Sequence, residues 1–186
     1  MQQASSQDSQ QKTMLARKYG NRDAFLTKYN PSFQMQICSN AQVCFFGDYP
    51  TLAALRQSYG ENAPKMWLIP QLVNLSEYCG VKDKLEGTPL EETAFVIATE
   101  YYYLKVSEMM LFFYRFKTGR YGRFYGNVDP LVIATALREF VKERNAEYDR
   151  KEKEERERQA EISSKNAITW EEYCRLNDIK DKDRPF

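Results

Sequence analysis

Residues 88–117 read TPLEETAFVIATEYYYLKVSEMMLFFYRFK, and the apolar side chains in this run decide the fold. Phe95, Tyr102, Val106, Met109, Phe113 and Phe116 recur at helical spacing, with Ile97, Tyr101, Leu104 and Leu111 as a second stripe beside them. A helix apolar around so much of its circumference belongs at the centre of a bundle, covered on several sides. The spacing therefore predicts one long central helix over about 89–117. Thr88, Pro89 and Glu91 supply its start: Thr88 accepts from the N3 amide, Glu91 reaches back, and Pro89 stands at N1, where no amide is missed. Glu108 interrupts the second stripe. A carboxylate there needs a partner, Lys105 or an arginine from the next loop, and the expected reading is an ion pair, with a catalytic acid as the alternative.

Downstream, Asp129-Pro130 opens another helix, with the carboxylate at its positive end. Ile133, Ala134, Leu137, Phe140 and Val141 share one face, and Thr135, Arg138, Lys142 and Asn145 the other. From Glu147 to Glu161 nearly every residue is charged, with opposite signs three or four apart, as in a solvated helical extension. After a polar linker, Ser163 to Asn166, the segment Ile168-Thr169-Trp170-Glu171-Glu172-Tyr173 reads as a new helix start. Thr169 is its cap, Glu172 completes the box, and Ile168 and Tyr173 form a hydrophobic staple. Trp170, Tyr173 and Leu176 are the candidates there for docking on a protein partner; the alternative is a helix that folds back on its own core.

Upstream, the Gln- and Ser-rich residues 1–11 have too little apolar surface to order and are expected to be disordered. A helical pattern from Lys12 to Tyr29 is broken at Gly20-Asn21 and ended at Asn30-Pro31. Phe33, Met35 and Ile37 alternate with Gln34 and Gln36, and with Val43 to Phe46 this predicts a small β-hairpin over about 33–46. Thr51 to Tyr59 reads as a helix stopped by Gly60. The stretch 63–79 reads as one or two helices, kinked or divided near Pro70, with Trp67 in the core. Lys82 to Gly87 is a polar connector. The expected organisation is a disordered 1–11, a helical domain over 12–145 and a charged extension with a terminal docking helix over 146–186.

Composition narrows the function. Among 186 residues there are 27 Lys plus Arg against 26 Asp plus Glu, so only local charge can argue for a charged partner. The 4 cysteines show no C-x-x-C spacing and no apolar signal opens the chain, which predicts a reduced, cytoplasmic protein. The longest apolar candidate carries Glu100, Lys105 and Glu108 and does not predict a membrane span. Histidine is absent, removing the commonest general base and zinc ligand. No phosphate-cradling G-x-x-x-x-G-K and no G-x-S-x-G is present, and no cofactor, metal site or catalytic residue is expected. The enzymatic alternative is a carboxylate-dependent metal nuclease using Glu100, Glu108 or Asp129.

Local charge is concentrated in one loop, GRYGRFYG over 119–126. Arg115, Lys117, Arg120 and Arg123 make it basic, and Tyr121 and Phe124 interleave with them. Cations for phosphates and aromatic faces for bases are the ingredients of nucleic-acid binding. The competing reading packs the aromatics against the bundle end and pairs the arginines with Glu108, Glu100 and Glu139.

Residues Glu100 to Glu108, Phe112 to Lys117, the 119–126 loop and Asp129-Pro130 resemble an uncharacterised family carried by phages and mobile elements of gut anaerobes, over about residues 45–145. The resemblance implies a replication accessory, similar in layout to helicase loaders that lack their own ATPase, and implies no catalytic residues. Together these readings predict a mainly α, non-enzymatic accessory protein that binds nucleic acid through its basic loop and a protein through its tail. The alternative is a protein-only adaptor or inhibitor of a host protein.

Overall fold

The computed structural model describes residues 15–167 together with Glu172, Tyr173 and Arg175, and the fold is mainly α. The chain divides after Glu143 into two units. Among the described residues there is no strand, only two isolated bridges, Thr51 with Lys105 and Asp83 with Asn127.

Helix α1 covers 15–19 and α2 Arg22–Lys28. They separate where the pattern breaks, at Gly20, which adopts φ 79°, and Asn21, whose side chain accepts from the Ala24 amide. The expected hairpin is instead helical: a 3-10 turn at Pro31–Phe33, α3 at Gln34–Ile37 and α4 at Ala41–Phe46. Two asparagines explain the correction. Asn30 and Asn40 each accept from the amide two residues on, starting a helical turn where a strand would need extended backbone. The alternation is also inverted, because Gln34 is buried whereas Met35 is 75% exposed.

Helix α5 (Leu52–Tyr59) starts at Thr51, whose hydroxyl accepts from the Ala54 amide, and stops at Gly60 with φ 103°. Helix α6 runs unbroken from Ala63 to Tyr78, so Pro70 lies inside one helix and does not divide it. Trp67 is buried as expected, and its indole N–H donates to the Tyr29 carbonyl at 2.9 Å.

The single helix expected over 89–117 is two. Helix α7 (Gly87–Glu100) and α8 (Val106–Lys117) are separated by Tyr101 to Lys105. The break exists because that segment's backbone is used elsewhere. The carbonyls of Leu104 and Tyr102 accept from the Leu52 and Ala53 amides at 2.9 and 2.8 Å, and the Val106 amide donates to Pro50 O at 2.9 Å. The Lys105 ammonium donates to the carbonyls of Phe45 and Gly47 at 2.8 and 3.0 Å. These bonds serve the otherwise unpaired start of α5 and end of α4, which a continuous helix would leave orphaned. Helix α7 begins after Glu86 with no side-chain cap, so Thr88 does not have the capping role its sequence context predicts.

The central element is therefore α8. Every residue from Val106 to Phe113 is buried, with α3, α4 and α6 among the helices packed on it. Phe95 and Tyr102, read as part of the buried stripe, are 61% and 54% exposed. Helix α9 (Pro130–Asn166) opens as expected, the Asp129 carboxylate accepting from the Leu131 amide at 2.8 Å. Its Ile133, Ala136, Leu137 and Phe140 enter the core of the first unit. In the second unit the helix is exposed over 151–165 and carries ion pairs such as Glu152 with Arg156 and Glu161 with Lys165.

Candidate functional site

The basic loop leaves the end of α8 and returns to the start of α9, and several of the candidate residues on and beside it are tied to neighbouring helices. Glu143 collects three of them. Its carboxylate accepts from Arg115 Nη1 at 2.9 Å, Arg120 Nε at 3.0 Å and the Tyr121 hydroxyl at 3.2 Å. The Arg115 guanidinium also lies over the Phe45 and Phe140 rings, 5.5 and 5.9 Å from their centroids, where its flat faces find π density in place of water. Burial, then the neighbouring Glu143 charge, pushes the Tyr121 hydroxyl up to about 12, since both disfavour a second anion there.

Lys117 turns the other way. Its ammonium donates to Gln34 Oε1 at 2.7 Å and to the Asn74 side-chain oxygen. Burial lowers its pKa, because no carboxylate offsets the loss of water around it. The chain continues inward: Gln34 Nε2 donates to Gln71 Oε1 at 2.6 Å, and Gln71 Nε2 to the Tyr29 carbonyl at 2.9 Å. Phe124 is 7% exposed and stacks on Phe116 with centroids 5.1 Å apart. Of the six candidate residues, Arg123 alone is exposed without an ion pair among the described residues; it lies 6.0 Å from the centroid of Tyr125, which is 80% exposed. Arg115 and Arg120 share the carboxylate of Glu143, a residue the sequence reading passed over.

Glu108 has a structural assignment too. Fully buried, it accepts from the Lys105 amide at 2.8 Å and so caps α8 from within, while the Lys105 side chain turns to the carbonyls of Phe45 and Gly47. Asp129 caps α9. Among the described residues no group of three or more His, Cys, Asp and Glu is placed to hold a metal ion. The tail candidates Trp170 and Leu176 lie outside the described residues, as do the Thr169 cap, the Ile168 staple and the 1–11 segment; Tyr173 is helical and 42% exposed.

A surface that sequence reasoning missed lies between α7 and the start of α9. There a groove of about 260 Å³ is walled by Pro89, Thr93, Val96 and Ile97 on one side and Leu131 and Ala134 on the other. Glu92 is its one charged wall residue. Val96 is 49% exposed and Leu131 74%, while Leu90 and Ala94 of α7 are buried in the core. Both helices thus carry more apolar surface than the core consumes. The signal was present in the sequence: Val96 stands off the Leu90, Ala94, Ile97 stripe, and Leu131 precedes the buried face of α9.

The chain belongs to a family of unknown function, DUF6633, matched over residues 84–184. The matched segment contains α7, α8, the basic loop, the groove and α9. No curated protein and no solved structure matches the chain. No helix among the described residues is long and apolar enough to cross a membrane.

Proposed function

We propose that this protein is a non-enzymatic adaptor that binds a partner protein through the groove between α7 and α9. The observation that carries this reading is the exposure of Val96 and Leu131 on opposite rims of an apolar groove. Paired apolar rims around a narrow trough suit an amphipathic helix that inserts one or two side chains and lays its polar face outward. Glu92 at the edge favours a partner helix with a basic residue flanking its apolar anchor.

The nucleic-acid reading finds less support. Phosphate binding needs cations that water or a ligand can reach, and Arg115, Lys117 and Arg120 are engaged by protein acceptors. Stacking needs open rings, and Phe124 already lies against Phe116. The mobile-element setting that the sequence resemblance implies is compatible with an adaptor that occupies another protein.

Affinity capture from the source cells with three baits tests the proposal. Wild type and Met35→Asp, altered on a different exposed apolar residue, should retain a common partner that Leu131→Asp loses. All three should melt alike, since both sites are exposed. A partner retained by Leu131→Asp, or salt-sensitive binding of oligonucleotides by the wild type, would refute the groove as the functional surface.

A further inference from the structure

A second concavity, of about 620 Å³, lies among α1, α2, the 3-10 turn, α3 and α4, at the opposite end of the sequence from the matched family segment. Its size falls within the range of small-molecule sites, roughly 300–1,000 Å³. Its composition is specific. The inner wall is aromatic, with Tyr19 and Tyr29 packed edge to face at 5.8 Å and Tyr49 against Tyr29 at 6.2 Å. At the mouth stands Phe33, which is 40% exposed.

Charge in the cleft is small and positive. Lys18 is held by Asp48, its ammonium 2.5 Å from Oδ2 and 3.0 Å from the Asp48 carbonyl. Lys28 is held only by rings: its ammonium sits 5.2 Å from the Tyr19 centroid and 5.8 Å from that of Tyr29, and it forms no ion pair among the described residues. Two cations against one carboxylate leave a net charge of about +1, centred on Lys28. The far wall, from the α3–α4 turn, brings exposed amides at Gln36 and Asn40. Asn40 Oδ1 accepts from the Gln42 amide, which leaves its NH2 group as a donor on an exposed side chain.

We propose that this cleft binds a nucleoside monophosphate, with the phosphate at Lys28, the base against Phe33 and the base edge read by Gln36 and Asn40. An exposed ring supplies stacking, a cation without a carboxylate supplies the phosphate contact, and amides offer the donors and acceptors a base edge needs. The charge balance favours few phosphates. A phosphate monoester, about −1.5 to −2 near neutrality, meets a site of net charge about +1, whereas a triphosphate would bring two or more further negative charges up to Asp48, and among the described residues no group of three or more metal-ligating side chains stands ready to hold a neutralising cation. The same chemistry could arrive free in solution or as the 5′ end of an oligonucleotide. This inference is independent of the α7–α9 groove.

Titration calorimetry on the full chain tests it, using AMP, GMP, CMP and UMP, the unphosphorylated nucleosides, ATP, and a 5′-phosphorylated trinucleotide. At least one monophosphate should bind saturably, at least 10-fold tighter than its nucleoside and no weaker than ATP. The trinucleotide binds comparably if the source is a strand end and poorly if it is the free nucleotide; either fits the site. Lys28→Gln and, separately, Phe33→Ala should each weaken monophosphate binding at least 10-fold without lowering the melting temperature, while Lys84→Gln, a cation outside the cleft, changes nothing. No saturable binding of any monophosphate, equal binding of nucleoside and monophosphate, or unchanged affinity in both cleft variants would overturn the proposal.

Discussion

Glu143 shows how one carboxylate decides the character of a loop. Four basic residues within nine positions read as a phosphate-binding surface until a single acid on the next helix takes two of them and a tyrosine hydroxyl. The Arg115 side chain is only 17% exposed, so removing its partner leaves a largely buried cation uncompensated, whereas Arg120, at 51%, returns to water at little cost. Glu143→Ala should therefore destabilise the protein by about 2 kcal/mol. That corresponds to a fall of roughly 4–8 °C in melting temperature for a chain of this size. A variant that melts with the wild type would place the loop outside the cooperative fold. The tyrosines set the alkaline limit. Tyr121, raised to about 12 from 10.0, contributes stability that is intact below pH 10 and lost as pH rises through about 12, because the unfolded chain gives up the phenolic proton first. Burial raises Tyr29, Tyr49, Tyr59 and Tyr101 in the same direction. Lys117 works the other way and softens the decline, since its lowered pKa lets the folded state lose that proton first. Melting temperature followed from pH 9 to 12, with phenolate absorbance alongside, should show unfolding coupled to tyrosine ionisation; flat stability across that range would contradict it.

At the scale of elements, several boundaries set by local chemistry were legible and those set by distant partners were not. Asn21, Thr51, Gly60 and Asp129 act on neighbours within a few residues, and the helices start or stop where these residues predict. The break between α7 and α8 depends on the Pro50 carbonyl and on the Leu52 and Ala53 amides, about fifty residues away in sequence, and no local pattern announces it. The hairpin was misread because a period of two in Phe33, Met35 and Ile37 outweighed two asparagine caps, and a four-residue helix is too short to show its own period. The charged part of α9 was legible because its pairs are local. Glu152 with Arg156 and Glu161 with Lys165 have the acid N-terminal to the base, the stronger orientation, and Arg150 with Glu154 adds a reversed pair. Each contributes roughly 0.2–0.5 kcal/mol. A peptide of residues 144–166 should accordingly be substantially helical alone at low ionic strength. Much of that helicity should fade at about 1 M salt, where the Debye length shrinks to roughly 3 Å. A peptide that circular dichroism shows to be coil at low salt would mean that the ion pairs do not sustain the helix.

In the first unit as a whole, one polar relay and one aromatic core hold the helices together. The relay runs from Lys117 through Gln34 and Gln71 to the Tyr29 carbonyl, where Trp67 also donates, tying α8, α3 and α6 to the end of α2. With every member hydrogen-bonded, it fixes the register of helices that apolar packing alone would let slide. The presence of a bundle could be read from Val106 to Phe116, but the buried glutamines could not, since their partners lie 37 and more residues apart. The candidate site divided in the same way. Basic and aromatic residue types were visible in the loop, yet their availability depended on Glu143, Gln34, Asn74 and Phe116. The groove went unseen because Val96 and Leu131, each legible as standing off an apolar stripe, become opposite rims only once α7 and the start of α9 are packed together. The central claim is that the groove meets a protein and the basic loop is structural. Photo-cross-linking in the source cells, with a diazirine side chain placed at position 131 and separately at position 123, tests it most directly. The account predicts a discrete protein adduct from position 131 and no nucleic-acid adduct from position 123. A nucleic-acid adduct from position 123, with none to protein from position 131, would contradict it.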